Sequence, residues 1–296
     1  VGGSLEMTDH GIRKVAVIGA GTMGHGIAQV AALAGHDAVL CDVDAGQLER
    51  GLAQIEANLD KGVRLGKVDA GHRDQAARRL RGSARLDEAI AGAGMVIEAV
   101  PEVMALKKRV FREVADAVPA DVVLATNTSS LSVNEMGAGL RAPERFIGLH
   151  FFNPVHIMAL VEVVKGARTS PAVIDRCLAF VRGLGKDPIV VTDSPGFASS
   201  RLGIVLGLEA MRMLEAGVAS PGDIDKAMVL GYRHPMGPLR LTDLVGLDVR
   251  LGIARYLHET LESEAFRPPA ILERMVAEGR LGRKSGRGFY DWSNEP

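Results

Sequence analysis

The 296-residue chain has two cysteines, Cys41 and Cys177, and one tryptophan, and its aromatic residues amount to 4%. Two thiols build neither a disulfide framework nor a cysteine-rich zinc centre. They suit a reducing compartment, so a cytoplasmic protein without a structural metal is expected. Neither charge sign is in excess: 35 Lys and Arg stand against 36 Asp and Glu, a formal net charge of −1. A general nucleic-acid binder carries a basic surplus, which is lacking. No apolar run reaches the roughly 18 residues of a membrane-spanning helix, so no membrane partner is expected. The opening Val1-Gly2-Gly3-Ser4-Leu5-Glu6 has neither a basic nor an apolar signal-peptide region, and Met7 is the expected natural start. What is present is an ordinary globular composition, 47% hydrophobic and 24% charged. At ~150 residues per domain it makes about two domains.

The first half alternates short apolar runs with helical patterns. Strands are expected at 14–18, 38–41, 95–100 and 121–126. Helices are expected over 22–34 and 103–117, with a long charged helical stretch over 45–80 broken by Gly62, Gly66 and Gly71. Three further apolar runs lie at 146–149, 159–164 and 188–192. Continuous apolar strands alternating with helices imply an α/β, doubly wound, mostly parallel sheet covered on both faces. After Asp193-Ser194-Pro195-Gly196 the texture changes to an all-α pattern, with helices expected over 197–216, 221–229 and 243–263. The expected division is 11–193 and 194–296.

Gly19-Ala20-Gly21-Thr22-Met23-Gly24 is G-x-G-x-x-G between a strand and a helix. Gly19 makes the tight turn, Gly21 lets the backbone approach a pyrophosphate, and Gly24 lets the helix pack close to the sheet. The helix start beyond, at Thr22 and Met23, offers free N–H groups to phosphate. Asp42 ends the second strand 18 residues after Gly24, where an acid accepts bonds from ribose hydroxyls and repels a 2′-phosphate. Val43 follows it rather than Arg, so NAD is the expected cofactor over NADP. Asp44 competes for the ribose role. The first domain is thus a Rossmann-like NAD-binding domain.

His150 follows the apolar run at 146–149, and Glu162 lies inside the next one. A carboxylate in an apolar strand is costly to bury unpaired, and an imidazole is its natural partner. Paired, they would form a general base with its orienting acid. An isolated structural His and a solvent-facing Glu satisfy the same spacing. Asn127-Thr128-Ser129-Ser130 follows the run ending at Thr126 and would share the same rim, as a source of hydroxyls or as a plain turn.

Together the segments GAGTMGHGIA (19–28), EAVPE (98–102), NTSSLS (127–132), GLHFFNPV (148–155), LVEVV (160–164), DSPGF (193–197), HPMGPLRLTDLVGLD (234–248) and GRKSGRGFYDW (282–292) resemble the 3-hydroxyacyl-CoA dehydrogenase family, short-chain 3-hydroxybutyryl-CoA type, over nearly the whole chain. The resemblance implies oxidation of an (S)-3-hydroxyacyl-CoA thioester to the 3-oxoacyl-CoA with NAD. It makes His150 the base, Glu162 its partner and Ser129 the ligand of the substrate oxygen. It puts Glu102 and Lys107 on the nicotinamide side with Asn127 nearby, Asn153 beside the base, and Asp42 on the ribose. In one departure the family's Asn before Arg201 is Ser200, a shorter donor for the same oxygen. Lys61, Arg64 and Lys67 become candidates for the coenzyme's 3′-phosphate, or else a solvated helix face. The helical domain is expected to dimerise, with Asp243 and Asp248 capping or bridging helices and 286–290 docking as a tail.

Fatty-acid β-oxidation, butanoate metabolism and aromatic-acid breakdown all use this chemistry. Two rivals share the scaffold. One is a hydroxy-acid or sugar-acid dehydrogenase of the L-gulonate 3-dehydrogenase kind. The other is a non-catalytic, crystallin-like NADH-binding protein, which would need no base.

Overall fold

Strands buried on both faces need apolar residues at every position, and this sets the centre of the sheet. A computed structural model describes residues 11–293; residues 1–10, where the expected start at Met7 falls, lie outside the described residues. The chain divides into two units between Ser194 and Pro195. The first has eight strands: β1 (Lys14–Ile18), β2 (Asp37–Cys41), β3 (Leu80–Ser83), β4 (Met95–Glu98), β5 (Val123–Thr126), β6 (Phe146–Phe151), β7 (Leu160–Lys165) and β8 (Asp187–Thr192). Their order is β3-β2-β1-β4-β5-β6-β7-β8. Every pairing is parallel except β6 with β7.

The helices of this unit are α1 (Thr22–Leu33), α2 (Ala45–Arg64), α3 (Ala70–Arg79), α4 (Leu86–Ile90), α5 (Met104–Ala117), α6 (Val133–Gly137) and α7 (Pro171–Gly183). Asp44, Asp69, Ser132 and Ser170 accept backbone N–H bonds at the starts of α2, α3, α6 and α7, each satisfying donors that a helix start leaves open. Ile27, Val17, Leu40, Ile97, Ile147 and Phe180 belong to one core formed by the sheet and its helices. The order reverses between β1 and β4, the switch point where the carboxyl ends of parallel strands leave a crevice.

Several expectations are corrected. The stretch over 45–80 is two helices, α2 and α3, parted by a turn at Gly66 (φ +64°), and Lys67 lies in that turn rather than on the helix. It ends in β3, a polar, mostly exposed edge strand that apolar patterning does not reveal. α4 and α7 went unexpected, although Ser170-Pro171 is a helix-start pair. The mostly parallel sheet is as expected, and its one antiparallel pair is β6 with β7, which join by a loop rather than a crossover helix.

The second unit contains α8 (Ser199–Glu215), α9 (Pro221–Lys226) running into a wider turn of helix over 227–231, α10 (Pro238–Val245), α11 (Leu247–Leu261) and α12 (Ala270–Ala277). The helix expected over 243–263 is broken at Gly246, whose φ of +103° suits glycine alone. Ile204, Leu208, Met211, Leu239, Leu257 and Leu272 share its core. Asp225 accepts from the N–H groups of Leu239 and Arg240 at the start of α10, and from the Tyr290 hydroxyl at 2.7 Å. Asp243 caps no helix. It anchors the tail, accepting from Phe289 N–H and Tyr290 N–H at 2.9 Å and from Trp292 Nε1–H at 2.8 Å. Asp248, in the first turn of α11, pairs with Lys284 at 2.6 Å.

Removing a buried acceptor strands its donors at a cost of about 1–3 kcal/mol each. Asp243→Ala is therefore expected to destabilise by roughly 3 kcal/mol or more. The measurement is urea unfolding followed by the fluorescence of Trp292, the chain's one tryptophan. An unchanged midpoint excludes the anchor role.

Candidate active site

The antiparallel step between β6 and β7 sets His150 directly opposite Glu162. Opposed residues of paired strands share one face of the sheet. The His150 Nδ1 to Glu162 Oε2 distance is 2.8 Å, with Glu162 fully buried and His150 6% exposed. A carboxylate only accepts, so Nδ1 carries the hydrogen and Nε2 is the nitrogen that can exchange a proton. The Phe152 ring packs against the imidazole with centroids 4.4 Å apart.

His150 lines a cleft of about 350 Å³. Ser129 and Asn127 enter it from the end of β5, Met23 from the first turn of α1, and Glu102 and Lys107 from the β4–α5 segment. Asn153, exposed, lines it from beyond β6. Residues separated by more than a hundred positions thus converge because β1, β4, β5 and β6 end on one rim. Asn127 joins two of these ends: its N–H donates to the Glu98 carbonyl at 2.8 Å, and its Oδ1 accepts from Phe151 N–H at 2.9 Å.

Lys107 is a buried cation, 1% exposed although it lies on a helix. Its Nζ is 2.6 Å from Glu98 Oε1 and 3.1 Å from Glu102 Oε2. Glu98, which sequence reasoning passed over, also accepts from Val100 N–H at 2.7 Å and from the Thr126 hydroxyl at 2.8 Å. Burial pushes its carboxyl above the ordinary carboxylate range, and Lys107 only partly offsets this. Glu102 goes the other way. Burial would raise it, but Lys107 and hydrogen bonds from Thr128 and Ser129 N–H outweigh burial and hold it below the ordinary range. An acid closing an otherwise apolar strand, as Glu98 closes β4, was the available signal.

The glycine turn fits a dinucleotide. A side chain on Gly19 or Gly24 would strike backbone: the added carbon would lie 2.6 Å from the Ala99 oxygen or 1.7 Å from the Gly19 oxygen. Gly21 instead faces open space, with nothing within 4 Å, which is room for a pyrophosphate beside the start of α1 and Thr22. Asp42, at the end of β2, steadies this turn: Oδ2 accepts from Ala20 N–H at 2.8 Å and Oδ1 from Asp44 N–H at 3.0 Å. Each oxygen keeps acceptor capacity for a ribose hydroxyl. Asp44 is committed to the start of α2, accepting from Gln47 N–H at 3.0 Å.

Lys61 and Lys67 line a separate, larger groove of about 690 Å³ in the first unit; Arg64 is not among its lining residues. Ser200 lies in the first turn of α8 in the second unit, half-buried.

A dinucleotide turn of this kind beside a histidine–carboxylate pair defines the class: a nicotinamide-dependent dehydrogenase. Residues 14–194 match the model of the 3-hydroxyacyl-CoA dehydrogenase NAD binding domain, and residues 196–292 match that of the 3-hydroxyacyl-CoA dehydrogenase C-terminal domain. A 3-hydroxybutyryl-CoA dehydrogenase from Bradyrhizobium diazoefficiens is 43% identical over 95% of this chain and 96% of its own. The Escherichia coli 3-hydroxyadipyl-CoA dehydrogenase is 41% identical over 96% of this chain and 60% of its own. Among solved structures, the (S)-3-hydroxybutyryl-CoA dehydrogenase of Ralstonia eutropha superposes with a TM-score of 0.92 at 40% identity, covering 96% of this chain and 100% of that one. The chain belongs to the 3-hydroxyacyl-CoA dehydrogenase family, and its cofactor is NAD.

Asp42→Ala removes both the ribose acceptor and a tether of the turn. It is expected to raise the KM for NAD roughly tenfold or more and to narrow the preference for NAD over NADP. Steady-state kinetics with both cofactors measure it; an unchanged preference removes Asp42 from ribose recognition.

Proposed function

We propose that the protein oxidises short-chain (S)-3-hydroxyacyl-CoA, with 3-hydroxybutyryl-CoA the best candidate, to the 3-oxoacyl-CoA. The observation that carries this reading is the 2.8 Å His150–Glu162 pair facing the cleft beside the glycine turn. NAD, when bound, supplies the hydride acceptor for the substrate's C3. His150 Nε2 takes the proton of the 3-hydroxyl, and Glu162 stabilises the imidazolium that results. Ser129 Oγ donates to the C3 oxygen; Ser200 is a second donor on the resemblance alone. Lys107, held by Glu98 and Glu102, fixes the nicotinamide side of the cleft.

The thioester, rather than a free hydroxy acid, is favoured by the second groove. It presents Lys61 and Lys67 to phosphates and apolar surface to the rest of a nucleotide. The pair itself argues against a purely binding role, since a binder has no use for an oriented base. No helix among the described residues is long and apolar enough to cross a membrane. A cytoplasmic homodimer is the reading we favour. Leu202, Leu230 and Tyr232 in the second unit are 68–76% exposed, apolar surface that a dimer would cover. Fatty-acid β-oxidation is one route that would use the reaction.

Acetoacetyl-CoA with NADH is the test. Thioester-dependent loss of the near-ultraviolet absorbance of NADH is expected, and free acetoacetate with NADH, or L-gulonate with NAD, should be turned over far less. No turnover of the thioester sinks the substrate assignment. Glu162→Gln is expected to lower kcat roughly 100-fold or more while NADH binding persists, because the ring loses its charge partner and its fixed tautomer. A Glu162→Gln enzyme with wild-type kcat and pH profile excludes the pair as base and orienter.

A further inference from the structure

The 690 Å³ groove is lined by three lysines and a histidine and by no carboxylate. Lys61 comes from the last turn of α2, Lys67 from the turn after it, His156 from the β6–β7 connection and Lys186 from the segment before β8. Lys61 and Lys67 make no ion pair among the described residues. Leu33, Leu65 and Leu184 give the groove apolar wall between the charges. Such a lining suits a ligand with several phosphates and a flat base. Lys186 also holds the segment that carries His156: its Nζ donates to the Val155 carbonyl at 2.5 Å and the Met158 carbonyl at 2.8 Å.

We propose that His156 is a protonation-dependent ligand for the phosphates of a coenzyme A thioester, so that the groove grips the nucleotide end more tightly as the pH falls. The inference rests on the reading of this groove as the coenzyme A handle. The charged groups acting on the imidazole are His25 from α1, Lys61 from α2 and Lys186 from the α7–β8 turn, and Lys67 lines the same groove. All are basic. His156 is exposed at the groove's edge, where partial desolvation first, then Lys186, His25 and Lys61, lower its pKa from the ordinary imidazole value. A phosphate among these groups reverses the local field and favours the imidazolium. The sign follows from linkage. The bound complex has the higher His156 pKa, so affinity is flat above it, rises as the pH falls from that value to the lower pKa of the empty groove, and is flat again below. Binding takes up a proton within that window.

The test is calorimetric titration with adenosine 3′,5′-bisphosphate, the nucleotide end of coenzyme A, at about pH 8 and about pH 6. The intact protein is compared with His156→Asn and with His156→Gln, a second neutral replacement should the first disturb the loop. The 3′-phosphate gains its own second proton near pH ~6, which acts equally on all the proteins and cancels in the comparison. The ratio of the Kd at the higher pH to that at the lower is expected to be roughly fivefold larger for the intact protein than for either variant. Proton uptake on binding, read from the dependence of the heat on the buffer, should disappear in both variants. Lys61→Ala is expected to weaken binding at both pH values. Equal pH dependence in intact and variant proteins, with binding retained, overturns the role of His156 and leaves the groove assignment standing. If the bisphosphate does not bind the intact protein at either pH, both fall.

Discussion

A carboxylate wholly withdrawn from water stays ionised only if a partner shares its charge, because desolvation alone costs several kcal/mol or more. Glu162 is such a group, and the partner it faces is His150. The contact exists because the chain turns back after β6 instead of crossing over. Had β7 continued the parallel pattern, a helix would separate the two strands, and the register that sets 150 opposite 162 would not arise. The sheet's one antiparallel step therefore gives the imidazole a carboxylate partner and a defined tautomer. The rest of the cleft is arranged around the nitrogen that this leaves for chemistry.

The depth of the cleft follows from register in the parallel half. Ile18 pairs with Glu98, Glu98 with Thr126, and Thr126 with Gly148, so β1, β4 and β5 end level while β6 runs on and His150 stands two residues further out. Along this row runs a second set of buried charges. Glu98 binds Lys107 from within and Thr126 from the side, while Glu102 takes the same ammonium from the cleft and orders Thr128 and Ser129. An ammonium this deeply buried needs compensating charge, and two carboxylates flank it, at 2.6 Å and 3.1 Å. The two acids respond in opposite directions because Glu98 is wholly buried, whereas Glu102 is partly exposed and bonded from several sides.

The parallel strands and the glycine turn were legible because each obeys a local rule: strands buried on both faces need unbroken apolar runs, and a tight approach needs glycine. The edge strand β3 was not legible, since an edge has no such need and Leu80-Arg81-Gly82-Ser83 has no pattern. Gly246 reads as a tolerated glycine inside one helix, and only its positive φ shows two helices. The pairing of His150 with Glu162 could be expected, but the spacing fitted an unpaired His and Glu equally well, because their contact depends on strand direction, which neither composition nor spacing encodes. Lys107 resembled any helical lysine; its burial is set by the acids around it. His156, in a short segment without periodicity, gave no sign, and its meaning comes from lysines on distant elements.

The two cavities of the first unit share their walls. α1 gives Met23 to the cleft and Leu33 to the groove, and the segment after β6 gives Asn153 to the one and His156 to the other. A substrate whose nucleotide end lies in the groove is tethered beside the base by contacts that take no part in the reaction. Such binding energy accelerates the chemical step only if it is used to position the reacting carbon. Rigid shared walls meet that condition, since α1 is packed into the core and the loop is pinned by Lys186. A short acyl chain offers few contacts of its own. For such substrates the proposed division would leave recognition to the groove and selectivity at C3 to the cleft.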